Sequence, residues 1–227
     1  MANVLVIGAH PDDAEIGMGG TVGVLVRRGD TVTLLDLTDG EPTPMGSPER
    51  RRAESEAAAK VLGVDRRITL PLPNRYLMDT VENRIAVAEV IREVRPDILF
   101  VPYWVDAHPD HLAAERLGEA ARFYAKLTRT DMGGTPHYPD RIVHFFCTHY
   151  RLQVAPAFIV DISEHLDRKL EAVTCYRSQF NEERNNLRIL ETIRSVAAYW
   201  GSRIRRPYGE PFATKEPIGV ASPGDLL

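Results

Sequence analysis

Val4-Leu5-Val6-Ile7-Gly8-Ala9-His10-Pro11-Asp12-Asp13-Ala14-Glu15 is the stretch on which the reading of this chain turns. Its β-forming apolar run from Val4 to Ile7 reads as a buried strand of a parallel sheet. The strand runs directly into a loop with one imidazole and three carboxylates within six residues. In open α/β sheets ligands gather beyond the carboxyl ends of the strands, so chemistry is expected here. The loop is too acidic to cradle a phosphate, and Pro11 removes a backbone donor that a phosphate would use. It suits a cation: His10 and Asp13 offer one nitrogen and one oxygen ligand, a mixture appropriate to Zn²⁺ or a neighbouring divalent metal.

Outward from this strand, Thr31 to Leu37, Arg67 to Leu70 and Ile98 to Val101 are further β-rich runs, separated by helical patterns at the spacing of βαβ units. Ile16 to Arg28 predicts a helix stopped by Gly29. Ser47-Pro48-Glu49 opens a second, with Ser as cap and Pro at the first helical position, and Gly63 ends it. A third is expected from about Thr80 to Arg95 and a fourth from about Asp110 to Lys126. After the loop 128–140, Ile142 to Cys147 and Phe158 to Ile162 read as strands, with helices near Ser163 to Tyr176 and Glu182 to Trp200. From Arg205 onward Pro and Gly predict an irregular tail anchored by Tyr208, Phe212 and Ile218. A single α/β domain spanning 1–227, its sheet mostly parallel, is the expected architecture.

A second acidic and imidazole-rich cluster, His108-Pro109-Asp110-His111, follows the fourth strand. One His-Pro-Asp alone reads as a turn with a helix cap. Two of them at strand ends that a parallel sheet can bring together read as a metal site. Three protein ligands with a fourth position open to water is the catalytic pattern, and His10, Asp13 and His111 are the ligands it selects. Hydrolysis also needs a base for the water and a positive group near the forming oxyanion. Asp12 fits the first role; His108, held protonated by Asp110, fits the second.

Those two loops resemble the PIG-L/LmbE family of zinc-dependent N-acetylglucosamine deacetylases, marked by His-Pro-Asp-Asp-x-Glu and His-x-Asp-His. Thr38-Asp39-Gly40-Glu41 and Arg51 to Glu54 extend the likeness. Asp161-Ile162-Ser163-Glu164, Tyr176-x-Ser178-Gln179-Phe180 and Tyr208-Gly209-Glu210-x-Phe212 look most like the bacillithiol branch, N-acetyl-glucosaminyl-malate deacetylase. The resemblance implies a Rossmann-like three-layer sandwich, with Zn²⁺ on the same three ligands, Asp12 as base and His108 as the electrostatic group. It further implies that Arg51 contacts the sugar or the malyl carboxylates, that Tyr208 approaches the acyl group from a C-terminal segment 205–227 packed near the site, and that the protein is a homo-oligomer, often a hexamer. Relatives often carry Pro-Asp-Arg where this chain has Pro73-Asn74-Arg75, so Asn74 would meet a sugar hydroxyl as an amide. Arg75 and Arg141 are secondary candidates for binding the acidic end. Deacetylation of chitobiose or another N-acetylglucosamine glycoside, or cleavage of a thiol-conjugate amide, uses the same catalytic loops. A nucleotide-binding module on the same scaffold is the reading from a different class.

Composition narrows the partners. Of 227 residues, 44% are hydrophobic and 26% charged, which is ordinary globular usage. Lys+Arg 28 against Asp+Glu 32 leaves a net charge of −4, so there is no positive field for nucleic acid or an anionic membrane. No run is apolar enough to span a bilayer and no signal peptide opens the chain, so a cytoplasmic protein is expected. Cys147 and Cys175 form no framework and read as buried small residues. Arg50-Arg51-Arg52 would by itself be a solvated helix face. Glu15 reads as serving the helix start or orienting a ligand. His137, His144, His149 and His165 lie in no ligand-spaced cluster and read as packing or surface residues. Gly17-Met18-Gly19-Gly20 lies past the strand turn and does not read as a dinucleotide loop.

Overall fold

Along Asn3–Gly8, strand β1, side chains alternate between two cores. Val4 and Val6 enter one, with Val32, Leu34, Met18 and Val22; Leu5 and Ile7 enter the other, with Leu35, Leu99, Val101 and Ile91. A strand buried on both faces requires helices on both sides of the sheet, and that is what forms. The computed structural model describes residues 1–180 and 188–222. After β1 come α1 (Asp13–Arg27), β2 (Thr31–Asp36), α2 (Pro48–Leu62), β3 (Arg66–Thr69), α3 (Val81–Val94), β4 (Ile98–Pro102) and α4 (Pro109–Ala125). Then follow β5 (Arg141–Phe145), β6 (Phe158–Asp161), α5 (Leu166–Thr174), α6 (Arg188–Arg203) and β7 (Gly209–Ala213). The expected helix start at Glu182 lies outside the described residues.

The seven strands pair in the order β3-β2-β1-β4-β5-β7-β6, and the first five in chain order run parallel. Helices α3 and α4 cover one face, while α1, α2 and α5 cover the other. The predicted α/β three-layer sandwich is therefore the fold. Helix limits follow from the expected caps: Ser47 Oγ accepts from Arg50 N at 3.2 Å, and Gly63 ends α2 in the left-handed region at φ 75°. The Gly-rich part of α1 is a packing surface. A Cβ on Gly20 would lie 2.7 Å from Ile162 Cδ1, and one on Gly23 2.8 Å from His165 Nδ1. Among the described residues no helix is long and apolar enough to cross a membrane.

The tail departs from its expected irregularity. Gly209–Ala213 forms β7, antiparallel to both β5 and β6 and inserted between them. Phe212 packs against Phe100 and Phe158 at ring separations of 5.5 and 5.2 Å. The Glu210 carboxylate accepts from Gly20 N at 3.0 Å, Thr21 N at 2.6 Å and Lys169 Nζ at 2.5 Å. Gly209 and Pro211 disguise the strand in the sequence. Gly209 suits its place, because a Cβ there would meet Ile159 Cγ2 at 2.7 Å, and the buried Glu210 bonds outweigh the weak strand propensity of its neighbours.

Candidate active site

The chain leaves β1 toward β2 on one side and reaches β4 on the other, so the strand order reverses between β1 and β4 and opens a crevice at their carboxyl ends. The His10 loop leaves one of these strands and the His108 loop leaves the other. The His10 ring accordingly lies 4.7 Å from that of His108 and 5.4 Å from that of His111.

Asp13 is fixed by its own loop: Oδ2 accepts from Ala9 N at 2.8 Å and His10 N at 3.0 Å, while Oδ1 faces His111 Nε2 at 3.2 Å. His10 Nδ1 lies 3.7 Å from Asp13 Oδ2, and the three side chains present one ligand atom each within 4.8 Å of one another. All three are buried. The remaining nitrogen of each imidazole meets a carboxylate: His10 Nε2 reaches Asp110 Oδ2 at 3.1 Å, and His111 Nδ1 reaches Asp106 Oδ2 at 2.7 Å. A carboxylate on the back nitrogen fixes tautomer and orientation and leaves the front lone pair for a metal. Against the penalty of burial, Asp110 and Asp13 lift His10 to about 9, and Asp13 with Asp106 lifts His111 to about 10. The site thus favours positive charge at this point, and a His₂Asp donor set with its outer carboxylates in place fits a divalent metal. The expected trio is brought together.

Asp110 does not hold His108 as expected. Its carboxylate serves His10 and the backbone N–H groups of Arg75, at 2.6 Å, and Leu77, at 3.3 Å. His108 is instead the cap of α4, its Nδ1 accepting from Asp110 N at 3.1 Å. An acceptor Nδ1 requires the neutral ring. Burial and the neighbouring His10 and His111 push His108 down to about 4. The expected imidazolium is therefore corrected to a neutral imidazole with its proton on Nε2.

Asp12 precedes α1 with φ 118°, a left-handed conformation that a residue with a side chain adopts only under constraint. Arg51 supplies the constraint: its Nη2 donates to Asp12 Oδ2 at 2.8 Å and to the Pro11 carbonyl. Burial raises the Asp12 carboxyl to about 6, with Arg51 opposing. Arg51 is itself buried and lies over the Tyr176 ring at 5.3 Å, while its Nε and Nη1 have no hydrogen-bond partner among the described residues. Beneath it, Arg67 forks onto Asp36 at 2.6 and 2.8 Å and reaches Glu15 at 2.6 Å. Tyr176 also donates to Glu15, at 2.9 Å. Glu15 thus anchors the loop from below.

His10, Asp12, Asp13, Arg51, His108 and His111 floor a cleft of about 980 Å³. Asn74 and Arg75 line it as expected, together with Phe146, Cys147, His149, Gln179, Tyr199 and Trp200. Tyr208 is not in the lining: it packs with Ile162 and Leu166, and its N–H donates to Ser163 Oγ at 3.2 Å. Arg141 opens β5 opposite Ile98, at the far end of the sheet. Asp106 and His149 escaped the sequence reading. Asp106 Oδ1 accepts from His108 N at 3.1 Å and His149 N at 3.0 Å, tying the loop after β5 to the loop after β4. Cys147, expected in the interior, borders the cleft 3.8 Å from Asp13 Oδ1. The strand-end rule that led to His10 also points to Asp106 and His149, which follow β4 and β5.

Residues 5–122 match the PIG-L family model, described as GlcNAc-PI de-N-acetylase. The chain is similar to the diacetylchitobiose deacetylase of Thermococcus kodakarensis, 35% identical over 224 residues that cover 91% of this chain and 80% of the relative. The crystal structure of a conserved protein from Thermus thermophilus superposes with a TM-score of 0.90 at 36% identity, covering 98% of each chain. The N,N'-diacetylchitobiose deacetylase of Pyrococcus horikoshii, solved with its inhibitor, does so with a TM-score of 0.81 at 30% identity, covering 100% of this chain and 89% of that one.

Proposed function

The chain belongs to the PIG-L family, and from that premise we propose that it is a metal-dependent hydrolase releasing acetate from an N-acetylglucosamine unit in a small glycoside. The observation that carries this is the convergence of His10, Asp13 and His111, each backed by fixed hydrogen bonds, beside the unligated carboxylate of Asp12 on the cleft floor. An acidic floor of this kind argues against the nucleotide-binding module.

His10, Asp13 and His111 would hold the metal, Zn²⁺ in this reading, which supplies Lewis acidity toward a water molecule and the acetyl carbonyl. Asp12 takes a proton from the attacking water and returns it to the leaving amine. Burial raises its carboxyl above the ordinary aspartate range, with Arg51 opposing, the direction that suits a group that both takes and returns a proton. His108 donates from Nε2 to the oxyanion that develops on the acetyl oxygen, a fixed neutral donor where a charged one was expected. Arg51 orients Asp12 through Nη2, its guanidinium buried behind the carboxylate.

Diacetylchitobiose is the preferred substrate. Both named deacetylase relatives support it, and the aromatic faces of Phe146, Tyr199 and Trp200 along the cleft suit a second pyranose ring. The N-acetylglucosaminyl-malate of bacillithiol biosynthesis is the second reading, favoured by Arg75 and Arg151 in the same lining. Homo-oligomerisation, as a hexamer by family likeness, belongs to this reading and is checked by light scattering.

Mass-spectrometric assay of the zinc-loaded protein with diacetylchitobiose, N-acetylglucosaminyl-malate and N-acetylglucosamine in separate reactions tests the reading. Diacetylchitobiose is expected to give the highest kcat/KM. Preference for the malate conjugate moves the enzyme to the second reading, and no acetate from any of the three rejects the proposed function.

A further inference from the structure

Outside the cleft, on the far side of the β4–α4 loop, a second group of ionisable side chains is gathered. Glu115 and Glu119 stand one turn apart on α4, and His144 faces them from β5. His144 is 1% exposed, and neither ring nitrogen has a hydrogen-bond partner among the described residues. Its Nε2 lies 3.6 Å from Glu115 Oε1 and 3.3 Å from Glu119 Oε1, within ion-pair distance of both carboxylates but aligned for a hydrogen bond with neither. Buried imidazoles are normally hydrogen-bonded, so this disposition asks for a third body. The three side chains place one ligand atom each within 4.8 Å of one another.

Lys215, from the segment after β7, marks where a cation sits. Its Nζ lies 2.7 Å from Glu115 Oε1 and 2.8 Å from Glu119 Oε1 and 5.3 Å from the centre of the Trp104 ring, with 44% of its side chain exposed. With His144 neutral, two carboxylates face one ammonium, and one negative charge remains in a largely enclosed place. Either a proton on His144 or exchange of the ammonium for a divalent ion removes it. The same carboxylates raise the pKa of His144 against its burial. A neighbouring cavity of about 240 Å³, bordered by Glu119, His144, Lys215 and Glu216, leaves room for water on such an ion.

We propose that Glu115, Glu119 and His144 form a second divalent-metal site, separate from the catalytic one, in which Lys215 competes with the metal for the two carboxylates. One imidazole and two carboxylates are a donor set for Zn²⁺, Co²⁺ or Mn²⁺. The metal draws α4 and β5 together, and Lys215 swings into solvent when the ion enters.

The test counts metal in the full-length protein. After dialysis against micromolar Zn²⁺ and removal of free ion, the His10→Ala/His111→Ala variant is expected to keep one equivalent by mass spectrometry of the eluted metal. Adding Glu119→Gln or His144→Ala to that background removes it. Circular dichroism shows whether each variant is folded, and Glu119, one-third exposed, is the substitution that leaves the interior undisturbed. Lys215→Met is expected to tighten Co²⁺ or Zn²⁺ binding at this site by about tenfold, as loss of a competing cation should. No metal in the His10→Ala/His111→Ala variant, or an equivalent that survives both added substitutions, overturns the site. Unchanged affinity in Lys215→Met overturns the competition.

Discussion

Asp106→Asn replaces one atom in a residue that touches neither the proposed metal nor the substrate, and it is expected to weaken metal binding by one to two orders of magnitude. In the native protein Oδ2 receives His111 Nδ1 at 2.7 Å, while Oδ1 accepts two backbone N–H groups, from His108 at 3.1 Å and His149 at 3.0 Å. An asparagine has one acceptor and one donor end. If its NH₂ turns toward the two backbone N–H groups, three donors face one another in a buried place, at roughly 1–3 kcal/mol. If it turns toward His111 instead, Nδ1 must accept, the ring proton moves to Nε2, and the lone pair that faces Asp13 is lost. Either arrangement falls on His111 as a ligand. Losing a carboxylate behind a metal-binding imidazole typically costs 10–100-fold in affinity, about 1.4–2.7 kcal/mol. Titration against a chromophoric chelator at fixed pH gives the Zn²⁺ dissociation constant. Turnover at saturating Zn²⁺ then separates occupancy from chemistry, and most activity should return with metal. A dissociation constant within threefold of wild type would refute the argument that Asp106 sets the tautomer of His111.

Asp12→Asn should retain the metal and lose turnover by about 10²–10⁴-fold, the range of a lost general base; turnover within tenfold of wild type removes Asp12 from the proton transfers. His108→Ala should lower kcat by about 10²–10³-fold with metal content unchanged, as expected for one oxyanion donor, and a smaller loss rejects that role. Arg67→Met leaves Asp36 and Glu15 facing each other in the interior and should destabilise the fold by about 3–5 kcal/mol in urea titrations; a loss under 1 kcal/mol would show that the carboxylates find other partners. His144 and Lys215, outweighing burial, hold the Glu119 carboxyl down to about 2 from an ordinary 4.5. A depressed carboxyl contributes stability that is present above pH 4.5 and disappears as the pH falls toward 2, so Glu119→Gln should show a shallower loss of Tm across that window than wild type. Identical slopes would refute the pairing.

The first four strands and the helices between them were legible because each carries its own punctuation. Ser47, Pro48 and Gly63 frame α2 as read, and the apolar run of β1 is buried as that run requires. Strand β7 was hidden because its stability is not local. Gly209 and Pro211 speak against a strand, and only the two ladders beside them and the Glu210 bonds to α1 and α5 make them one. Within the site, His10, Asp13 and His111 could be singled out because residue type alone marks a ligand. What the neighbours do to them could not: His108 is kept neutral by burial beside His10 and His111, its tautomer is set by the backbone N–H of Asp110, and the partner of Asp110 is set across the crevice. Arg51 looked like one of three solvated arginines, and only the folded structure shows it buried against Asp12.

The late strand between β5 and β6 also sets an order of assembly. A chain emerging from the ribosome can complete β1 through β5 with their helices while Gly209–Ala213 is still unmade. Until β7 arrives, β5 ends the sheet with an open edge and β6 has no strand beside it. The cleft wall built by Gly209, Glu210 and Pro211 is missing in the same interval. Completion of the sheet and of the cleft are thus one event, which waits until Gly209–Ala213 has been made. A truncation before Gly209 should leave a species that binds its neighbours edge to edge and turns over nothing.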